Sequence, residues 1–414
     1  MEKKNYVVAV DIGSSEVVVA IGSMTDSNII HIEAIAREAT EGMSAGLVDN
    51  SQVVSKALKS ALERVESELG IKVTDAYATL SGKFVRSARY TDHVFVGDVE
   101  NCISQADIRS LEERMHNVKA PDDEFIMDLY PIEYKNDNGL KLSRPVGAYS
   151  KQLSATYNFI LCDKAMSDRL RRCLQQNNIS VKEIVPNAMV LHNTIATTDD
   201  MQDGAVIVDF GGGVTDVAVL YGGKVRYVAS IPIGAKSINA DIQTLAIPTS
   251  YIEDLKIQYG SAVASLAIDD IIVFQAPKRT QTKNILRKNL AIVIEARLKE
   301  IAEWVRNEIK EAGCGSKFMP TLLLTGGGSQ MRDIEKLFAR ELDIMEARTV
   351  HPEYGFTEES MLEHISSPAD ATVASLLVYG AKRGSCTTGK RSEQQQQKPT
   401  PRATGLSQYD DVVP

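Results

Sequence analysis

Residues 205–216 read Ala-Val-Ile-Val-Asp-Phe-Gly-Gly-Gly-Val-Thr-Asp, and this stretch decides the fold of the chain. The run of β-branched residues is typical of a buried strand. Three consecutive glycines after such a strand are entropically costly, which indicates that something must approach their backbone closely. Val-Ala-Val-Leu, then Gly222-Gly223 and the segment Lys224–Ile231 follow, and they predict two further strands. The pattern therefore predicts an antiparallel unit with a glycine-rich turn, and a plain glycine-rich hairpin is the alternative.

The same unit opens the chain. Residues 6–13 read Tyr-Val-Val-Ala-Val-Asp-Ile-Gly, residues 17–22 read Val-Val-Val-Ala-Ile-Gly, and a third strand is predicted near residues 29–36. Two apolar hairpins can be similar by chance, but both of these carry Asp, an apolar residue and Gly at the same place, beginning at Asp11 and Asp209. The sequence therefore predicts an internal duplication.

A third glycine cluster follows a strand predicted at residues 321–324. Residues 325–329 read Thr-Gly-Gly-Gly-Ser and lead into a segment that we expect to be helical from Met331. The three glycines leave room for a flat adenosine, and a helix N-terminus favours phosphate. The chain contains neither GxGxxG nor GxxxxGKS/T, which argues against dinucleotide-binding and P-loop chemistry.

Asp11 ends the first predicted strand and is followed by Ile-Gly-Ser-Ser. Glycine and small hydroxyl residues in a turn let backbone N–H groups approach phosphate oxygens closely. A carboxylate at the end of the strand can hold Mg²⁺ through water, since Mg²⁺ keeps most of its hydration shell. Most Asp-x-Gly sequences are simple turns, so the motif alone favours that alternative.

Composition limits the classes of protein to consider. A chain of 414 residues with 43% hydrophobic and 24% charged residues predicts a soluble globular protein of two or more domains. The net charge of −9 argues against nucleic acid as the main partner. No apolar run reaches the ~18–20 residues of a membrane-spanning helix. Five cysteines without a CxxC pair favour reduced thiols in a cytoplasm over disulfides or a zinc site.

The remaining segments give a coarse organisation. A helix is predicted over residues 51–69, with Ser51 as its cap. Residues 85–160 change character and predict a small α+β insertion. Its expected elements are strands at residues 90–96, 124–135 and 155–162 and a helix beginning near Ser104. Further helices are predicted at residues 250–265 and 286–312. Past Gly380 the composition becomes rich in Ser, Thr, Gln and Pro, which is typical of a disordered tail.

In this order, the three glycine motifs resemble the phosphate 1, phosphate 2 and adenosine motifs of the actin-like ATPase superfamily, which also contains heat-shock chaperones and sugar kinases. Segments 186–191 and 370–380 fall where that superfamily has its two connecting helices. Glu253 and Lys256 match its Glu-x-x-Lys helix, although residues three apart on a helix also form simple surface ion pairs.

Within the superfamily the chain resembles the FtsA family of bacterial cell division proteins. The resemblance is carried by residues 37–49, 255–260 and 294–301 and by the insertion, which is similar to the FtsA subdomain 1C that replaces actin's 1B. It covers about residues 5–382. It implies an α/β fold with duplicated ribonuclease-H-like domains around a nucleotide cleft. The implied parts are 1A (1–85, 160–203 and 372–384), 1C (86–159), 2A (204–245 and 318–371), 2B (246–317) and a disordered tail (385–414).

The resemblance implies ATP and Mg²⁺ as ligands. Asp11 and Asp209 would share a hydrated Mg²⁺. The implied phosphate-binding residues are Gly13, Ser14, Ser15, Gly211, Gly212, Gly213 and Thr215, and those framing the adenosine are Glu253, Lys256, Gly326, Gly327 and Gly328. The family's FtsZ tail docks on 2B, which makes Lys288 and Arg297 candidate contacts for that acidic peptide, with a solvated helix face as the alternative.

The function that the resemblance implies is an adaptor. Such a protein forms head-to-tail ATP-dependent filaments, binds the FtsZ C-terminal peptide, recruits other division proteins through 1C and holds the division ring at the cytoplasmic membrane. One alternative is the related adaptor of type IV pilus assembly, and another is a true kinase or chaperone ATPase with fast turnover. Nucleic acid is not an expected partner.

The sequence departs from the family pattern at several places. Glu16 stands where phosphate 1 usually continues with a basic residue, so it either points outward or lowers nucleotide affinity. Val185 stands where related ATPases position the attacking water, which predicts slow hydrolysis at most. Ser375 replaces a glycine of the second connecting helix, and residues 233–241 are poorer in glycine and threonine. Residues 406–414 lack the apolar and basic faces of a membrane-surface helix, so membrane attachment is expected to be indirect.

Overall fold

The computed structural model describes residues 5–275, 282–315 and 318–390. Its strands are β1 (Tyr6–Ile12), β2 (Glu16–Met24), β3 (Ile30–Ala39), β4 (Met43–Ser44), β5 (Leu47–Val48), β6 (Ile71–Val73), β7 (Asp75–Leu80), β8 (Val85–Phe95), β9 (Glu124–Lys135), β10 (Gln152–Asp163), β11 (Ser180–Pro186), β12 (Ala205–Phe210), β13 (Thr215–Tyr221), β14 (Lys224–Ile231), β15 (Ile271–Gln275), β16 (Thr282–Leu286), β17 (Thr321–Thr325), β18 (Ala347–Thr349) and β19 (Thr388–Lys390).

The helices are α1 (Ser51–Leu69), α2 (Gln105–His116), α3 (Lys164–Gln175), α4 (Asn187–Val190), α5 (His192–Ile195), α6 (Thr198–Asp203), α7 (Lys236–Ile242), α8 (Thr249–Tyr259), α9 (Arg287–Ala312), α10 (Ile334–Leu342), α11 (Glu358–Glu363) and α12 (Ala371–Arg383). Short 3₁₀ turns lie at Gln243–Leu245, Ala264–Leu266, Gly327–Gln330 and Pro368–Asp370. No helix among the described residues combines the length and apolar character needed to span a bilayer.

Two five-stranded sheets repeat one topology. The first has the order β11-β7-β1-β2-β3 and the second the order β14-β13-β12-β17-β18. In each sheet the first three strands in chain order are antiparallel, and the next strands join the first strand's other edge in parallel. We call these sheets and the helices that cover them the first lobe and the second lobe. The repeat confirms the predicted duplication and the duplicated α/β fold.

The central strands are buried on both faces, which is why β1, β2, β12 and β13 read as continuous apolar runs. Alternating residues of β12 face different cores. Val206 and Val208 pack into the second lobe's core under α9, whereas Ala205 and Ile207 join the core of the first lobe. The two lobes therefore share continuous packing at the base of the cleft between them.

The insertion consists of the sheet β8-β10-β9 and helix α2. Ser104 caps α2 in a reciprocal pair with Asp107, as its position in the sequence suggested. Tyr157 and Phe159 of β10 pack into the insertion's own core, while Ile160 and Cys162 of the same strand belong to the core of the first lobe. The insertion is therefore anchored through β10 and is not a free appendage.

Two helical segments cross between the lobes. The predicted connecting segments form α4 with α5 and α12. At their contact Thr194 and Ser375 hydroxyl oxygens lie 2.6 Å apart, and the Ser375 hydroxyl also donates to the Leu191 carbonyl at 3.2 Å. Ser375 is fully buried. The serine that replaces the family's glycine thus adds a hydrogen bond at the crossing.

Several predicted boundaries were wrong. The cap of α1 is Asn50, whose side chain accepts from the backbone N–H groups of Gln52 and Val53, and Ser51 is the first helical residue. The helix predicted over 250–265 ends at Tyr259, because the Gly260 backbone is extended. No helix begins at Met331, since a 3₁₀ turn follows the glycines and α10 starts at Ile334.

The prediction that the disordered tail begins at residue 385 was wrong. Strand β19 pairs with β6 in an antiparallel ribbon, and the buried Cys386 bridges to Tyr6 at the start of β1. Residues 385–390 therefore belong to the first lobe. Residues 391–414 of the predicted tail, including 406–414, lie outside the described part of the chain.

Candidate functional site

Two glycine loops face each other across the cleft between the lobes. Residues 13–15 form the first glycine loop, between β1 and β2, and residues 211–214 form the second, between β12 and β13. The turns have matching hydrogen bonds, from Gly13 N–H to the Glu16 carbonyl at 2.9 Å and from Gly211 N–H to the Val214 carbonyl at 3.0 Å. The duplication therefore extends to the geometry of the two turns.

The loops touch directly, and their glycines are needed for this contact. A Cβ on Gly212 would clash with the Ser15 hydroxyl, and one on Gly213 would clash with the Ser14 hydroxyl. Only residues without a side chain allow the backbone of one loop to approach the hydroxyls of the other this closely. The glycines that the sequence singled out thus create the narrow floor of the cleft.

Buried carboxylates lie behind the loops. Asp209 and Asp216 are directly opposite each other in the β12–β13 pairing. The Asn187 side-chain amide donates to both, at 2.7 Å to Asp209 Oδ2 and 2.9 Å to Asp216 Oδ2. The Thr372 hydroxyl at the start of α12 also donates to Asp209, at 3.1 Å. Both connecting segments therefore contribute to the acidic pair.

Asp11 completes the acidic cluster from the first lobe. It accepts a hydrogen bond from the Thr79 hydroxyl at 2.9 Å. Burial raises the pKa of Asp11 to about 7, with a further contribution from the Asp209 carboxylate. Burial and then the negative charge of Asp209 raise the pKa of Asp216 to about 7, and burial also raises the pKa of Asp209. The cluster therefore favours either protons or a cation.

The arrangement fits a hydrated cation. The side-chain carbonyl oxygen of Asn187 and the Ser14 hydroxyl are buried at the site without a hydrogen-bond partner. No group of three or more His, Cys, Asp or Glu side chains in the described ranges is close enough to ligate a metal directly. Carboxylates that reach Mg²⁺ through its water shell do not need such a close arrangement. The unpartnered oxygens provide acceptors for that water.

Two adjoining cavities occupy the cleft. The deep cavity, of about 150 Å³, is lined by the acidic cluster and both glycine loops. The outer cavity, of about 560 Å³, shares Ser15, Gly212 and Gly327 with it. Its further lining includes Glu253, Lys256, Gly328 and Met331. A small acidic chamber thus opens into a larger, more apolar one, as a site for a phosphorylated aromatic ligand requires.

Glu253 and Lys256 form the predicted ion pair inside the outer cavity. Lys256 is buried, and its ammonium lies 2.9 Å from Glu253 Oε2 and donates to the Ala235 carbonyl at 3.4 Å. Asn239 also donates to Glu253, at 2.6 Å. Lys256 is buried, so the pair is not a simple surface ion pair, and its role in framing an adenosine stays a prediction.

The glycines of the third motif are explained mainly by close packing. Gly326 has a positive φ of 81°, and a Cβ there would clash with the Asp209 carboxylate. A Cβ on Gly328 would clash with the Phe210 ring, whereas Gly327 is open, with its nearest neighbour at 4.0 Å. Close packing against the end of β12 fixes two of the three glycines, and Gly327 faces both cavities.

Two predicted residues do not have the expected accessibility, and a third does. The Thr215 side chain is fully buried and donates to the Ile233 carbonyl at 2.8 Å, so its hydroxyl faces neither cavity. On α9, Arg297 already forms a two-pronged ion pair with Asp241, at 2.7 and 2.8 Å. Lys288 of the same helix is exposed.

Glu16 lines the deep cavity, and its carboxylate is paired with a cation. Its carboxylate lies 3.3 Å from the Arg37 guanidinium, which also pairs with the buried Asp370 beside α12. The Arg37 charge opposes the rise in the pKa of Asp11, which burial dominates. Arg37 on β3 therefore neutralises the acidic residue that replaced the family's basic one.

Sequence reasoning missed Thr79, Asn187, Asp216, Lys236 and Thr372. Two of these residues could have been found from the sequence. Asp216 ends the glycine-rich motif at residues 205–216, and Asn187 lies in the first connecting segment. Val185, two residues before Asn187, is buried and lines a separate cavity of about 570 Å³ on the other side of β11. The polar side chain that this segment presents to the carboxylates is Asn187.

Two similar sheets around a glycine-lined acidic cleft define an actin-like ATPase fold, and solved structures agree. The chain superimposes on a chain of the PilM-PilN type IV pilus biogenesis complex with a TM-score of 0.60 and 14% identity, covering 91% of this chain and 98% of that one. It superimposes on MreB5 of Spiroplasma citri bound to AMPPNP with a TM-score of 0.53 and 12% identity, covering 91% and 96%.

Sequence comparisons identify the branch. The family model described as cell division protein FtsA matches residues 206–375, and that of the SHS2 domain inserted in FtsA matches 82–161, together more than half of the chain. FtsA of Pseudomonas aeruginosa is 27% identical over 387 residues (93% of this chain and 91% of the relative), and FtsA of Escherichia coli K12 is 23% identical over 390 residues (91% and 90%). This chain belongs to the FtsA family of cell division proteins.

Proposed function

We propose that this protein binds Mg·ATP between its lobes and acts as a filament-forming adaptor of the bacterial division ring. The observation that carries the proposal is the convergence of Asp11, Asp209 and Asp216 with two touching glycine loops. Buried carboxylates with raised pKa values favour a cation, and the loops present backbone N–H groups to an anion. A cleft that accepts both charges suits a metal-bound polyphosphate.

Each part of the cleft has a distinct role in this proposal. Asp11 and Asp209 would hold the hydrated Mg²⁺, and Asp216 with Asn187 would orient its water. The loops at Gly13–Ser15 and Gly211–Gly213 bind the phosphates, and Glu253, Lys256 and Gly327 frame the adenosine. When bound, Mg·ATP supplies a charged bridge between the lobes, and it favours the closed cleft because it binds that conformation preferentially.

ATP serves mainly as a conformational and polymerisation ligand. Val185 is apolar and lines a different cavity, and the neutral Asn187 amide cannot take a proton from water. Hydrolysis is therefore slow, well below the ~1–10³ s⁻¹ of dedicated enzymes. This disfavours the kinase or chaperone alternative. The match to the FtsA model, with its own insertion model, disfavours the pilus adaptor.

The partners follow from the family. The FtsZ C-terminal peptide docks on the second lobe at α9, where Lys288 is exposed. Because Arg297 is held by Asp241 and Glu300, it contacts the peptide only if these pairs rearrange. Other copies of the chain form the head-to-tail filament, and other division proteins bind the insertion. The protein works at the cytoplasmic face of the membrane.

Isothermal titration calorimetry with Mg·ATP tests the nucleotide site. Asp209→Asn keeps the size of the side chain but removes its charge, and Gly212→Val fills the contact with Ser15. We expect each variant to bind Mg·ATP at least about tenfold more weakly than the parent, because the first removes a charge and the second introduces a clash between the loops. Asp26→Asn, in an exposed turn, is the matched control. Equal affinity in all four folded proteins would refute the site.

A further inference from the structure

Lys236 is fixed to the second glycine loop by its backbone. It begins α7, and its N–H donates to the Gly212 carbonyl at 2.8 Å, next to the bond from Ala235 N–H to the Gly211 carbonyl at 2.9 Å. The main chain of Lys236 therefore moves with the second lobe and with the loop that would hold phosphate.

The side chain of Lys236 crosses the cleft to the other lobe. Its ammonium donates to the Ser14 carbonyl in the first glycine loop at 2.6 Å, although the two residues are 222 positions apart. The side chain also lines the outer cavity, beside Ser15 and Gly212, where that cavity meets the deep one. One hydrogen bond of Lys236 thus joins the two loops at the place where phosphate would enter.

The other nearby cations are already paired with carboxylates. Lys256 is bonded to Glu253, and Arg37 is bonded to Glu16 and Asp370. Among the described residues that line the two cavities, Lys236 and Lys256 are the only cations. The Ser14 carbonyl, which accepts from the Lys236 ammonium, is neutral. An anionic oxygen is a stronger acceptor for an ammonium than a neutral carbonyl is.

A neighbouring group also lacks a partner. The hydroxyl of Ser14, a residue only 7% exposed, is buried without a hydrogen-bond partner between the two loops. Buried polar atoms are nearly always hydrogen-bonded, so an unpaired one in a cleft indicates a ligand or water. Lys236 and Ser14 therefore offer donors to an anion at the same junction.

We propose that Lys236 is a latch with two positions that senses phosphate in the cleft. Without nucleotide its ammonium bonds to the Ser14 carbonyl and holds the loops together, as observed. When the polyphosphate of a nucleotide enters, the ammonium transfers to a phosphate oxygen and ties the second lobe to the ligand. This rests on the proposed nucleotide-binding function and adds a phosphate-selective residue that the family motifs do not contain.

Calorimetry of the full chain with ATP, ADP and adenosine, each in the presence of Mg²⁺, tests the phosphate position. Lys236→Met keeps the apolar stem and removes the charge. We expect its affinity for ATP and ADP to fall about 10-fold to 100-fold, because a charged hydrogen bond is lost, and its affinity for adenosine to stay within about twofold. Lys224→Met, at the exposed start of β14 outside the cleft, is the matched control.

Hydrogen exchange of the nucleotide-free protein tests the position in which Lys236 bonds to the Ser14 carbonyl. In Lys236→Met, amides of residues 13–16 should exchange at least several-fold faster than in the parent and in Lys224→Met, because the loop loses its tie to the second lobe. Unchanged exchange would overturn the latch. Unchanged or increased ATP affinity, or an equal loss for adenosine, would overturn the phosphate contact. If the parent itself fails to bind ATP, the proposed function fails, while the exchange result still reports on the latch.

Discussion

The acidic pair Asp209 and Asp216 shows how much single residues depend on their neighbours here. Two like charges directly opposite each other on adjacent strands destabilise a sheet. The Asn187 amide donates to both, and burial and mutual repulsion raise the pKa of Asp216 to about 7. The arrangement costs stability without a cation. It is therefore better explained by a ligand than by packing.

The single residue His192 gives a prediction about how the stability of the protein depends on pH. Burial, and secondly the positive charge of Lys382, lower the pKa of His192 to about 4. The unfolded chain, with a pKa near 6.5, binds the proton more readily, so stability is present above the unfolded pKa and is lost as pH falls toward 4. Lowering the pH from 7.5 to 5 should therefore reduce the free energy of unfolding by about 2 kcal/mol through His192.

Thermal unfolding of parent and His192→Gln at the two pH values measures this effect. The melting temperature of His192→Gln should fall less on acidification than that of the parent. His116→Gln, at an exposed histidine of α2, should behave like the parent. Parallel pH dependence in all three proteins would mean that His192 is not a buried neutral histidine. The comparison is between variants, so the opposite contributions of the raised carboxyl pKa values cancel.

At the scale of elements, α9 and the ribbon β15–β16 form an exposed apolar part of the second lobe. Ile271 and Leu286 are paired across the ribbon and exposed, and Ile292 lies exposed on the first turns of α9. Lys288 lies between them in sequence and is exposed. An apolar surface beside a free positive charge suits a peptide that carries both apolar and acidic residues.

Lys288→Glu should weaken binding of the FtsZ C-terminal peptide about fivefold to tenfold, since it replaces an attraction by a repulsion at an exposed site. Lys310→Glu makes the same change of charge on the same helix, about 33 Å away at 1.5 Å per residue, and should have little effect. Fluorescence anisotropy with a labelled peptide measures both. Equal weakening in the two variants would indicate general electrostatics rather than a docking site.

At the scale of the whole molecule, the insertion is tied to both lobes. Its strand β10 contributes to the core of the first lobe, and the Ser87 hydroxyl exchanges hydrogen bonds with the Val228 backbone of the second, at 2.8 and 3.1 Å. Removing residues 87–153 would therefore expose core residues of β10. Point changes at the insertion's surface are the better test of assembly.

Phe95→Glu should abolish ATP-dependent filaments while leaving Mg·ATP affinity unchanged. Phe95 is 75% exposed at the end of β8, and Tyr149 nearby is 70% exposed, so the change disturbs an apolar surface rather than a core. Val53→Glu, at a 39% exposed position on α1, is the control. Pelleting and electron microscopy decide the outcome, and normal filaments from Phe95→Glu would exclude this end of the insertion from the contact.

The sequence by itself determined the repeated elements. β-branched runs, Asp-x-Gly turns and a helical period are local signals, so the bounds of β9 and β14 were predicted correctly and those of α9 within one residue, whereas β2 ends two residues beyond the predicted run. The glycine loops followed from the same signals. The caps and ends of helices were predicted less well. Asn50 and Ser51 are both good capping residues, and the sequence does not show that the backbone at Gly260 is extended and ends α8.

Only the tertiary structure decided which side chains meet. Asn187 reaches the two carboxylates because the first connecting segment crosses the cleft, and Arg37 reaches Glu16 and Asp370 because β3 lies beside them. Thr215 turns into the core although its neighbour Asp216 faces the site. Periodicity places a residue on a face of its own element. The packing of elements far apart in sequence then determines what that face contacts.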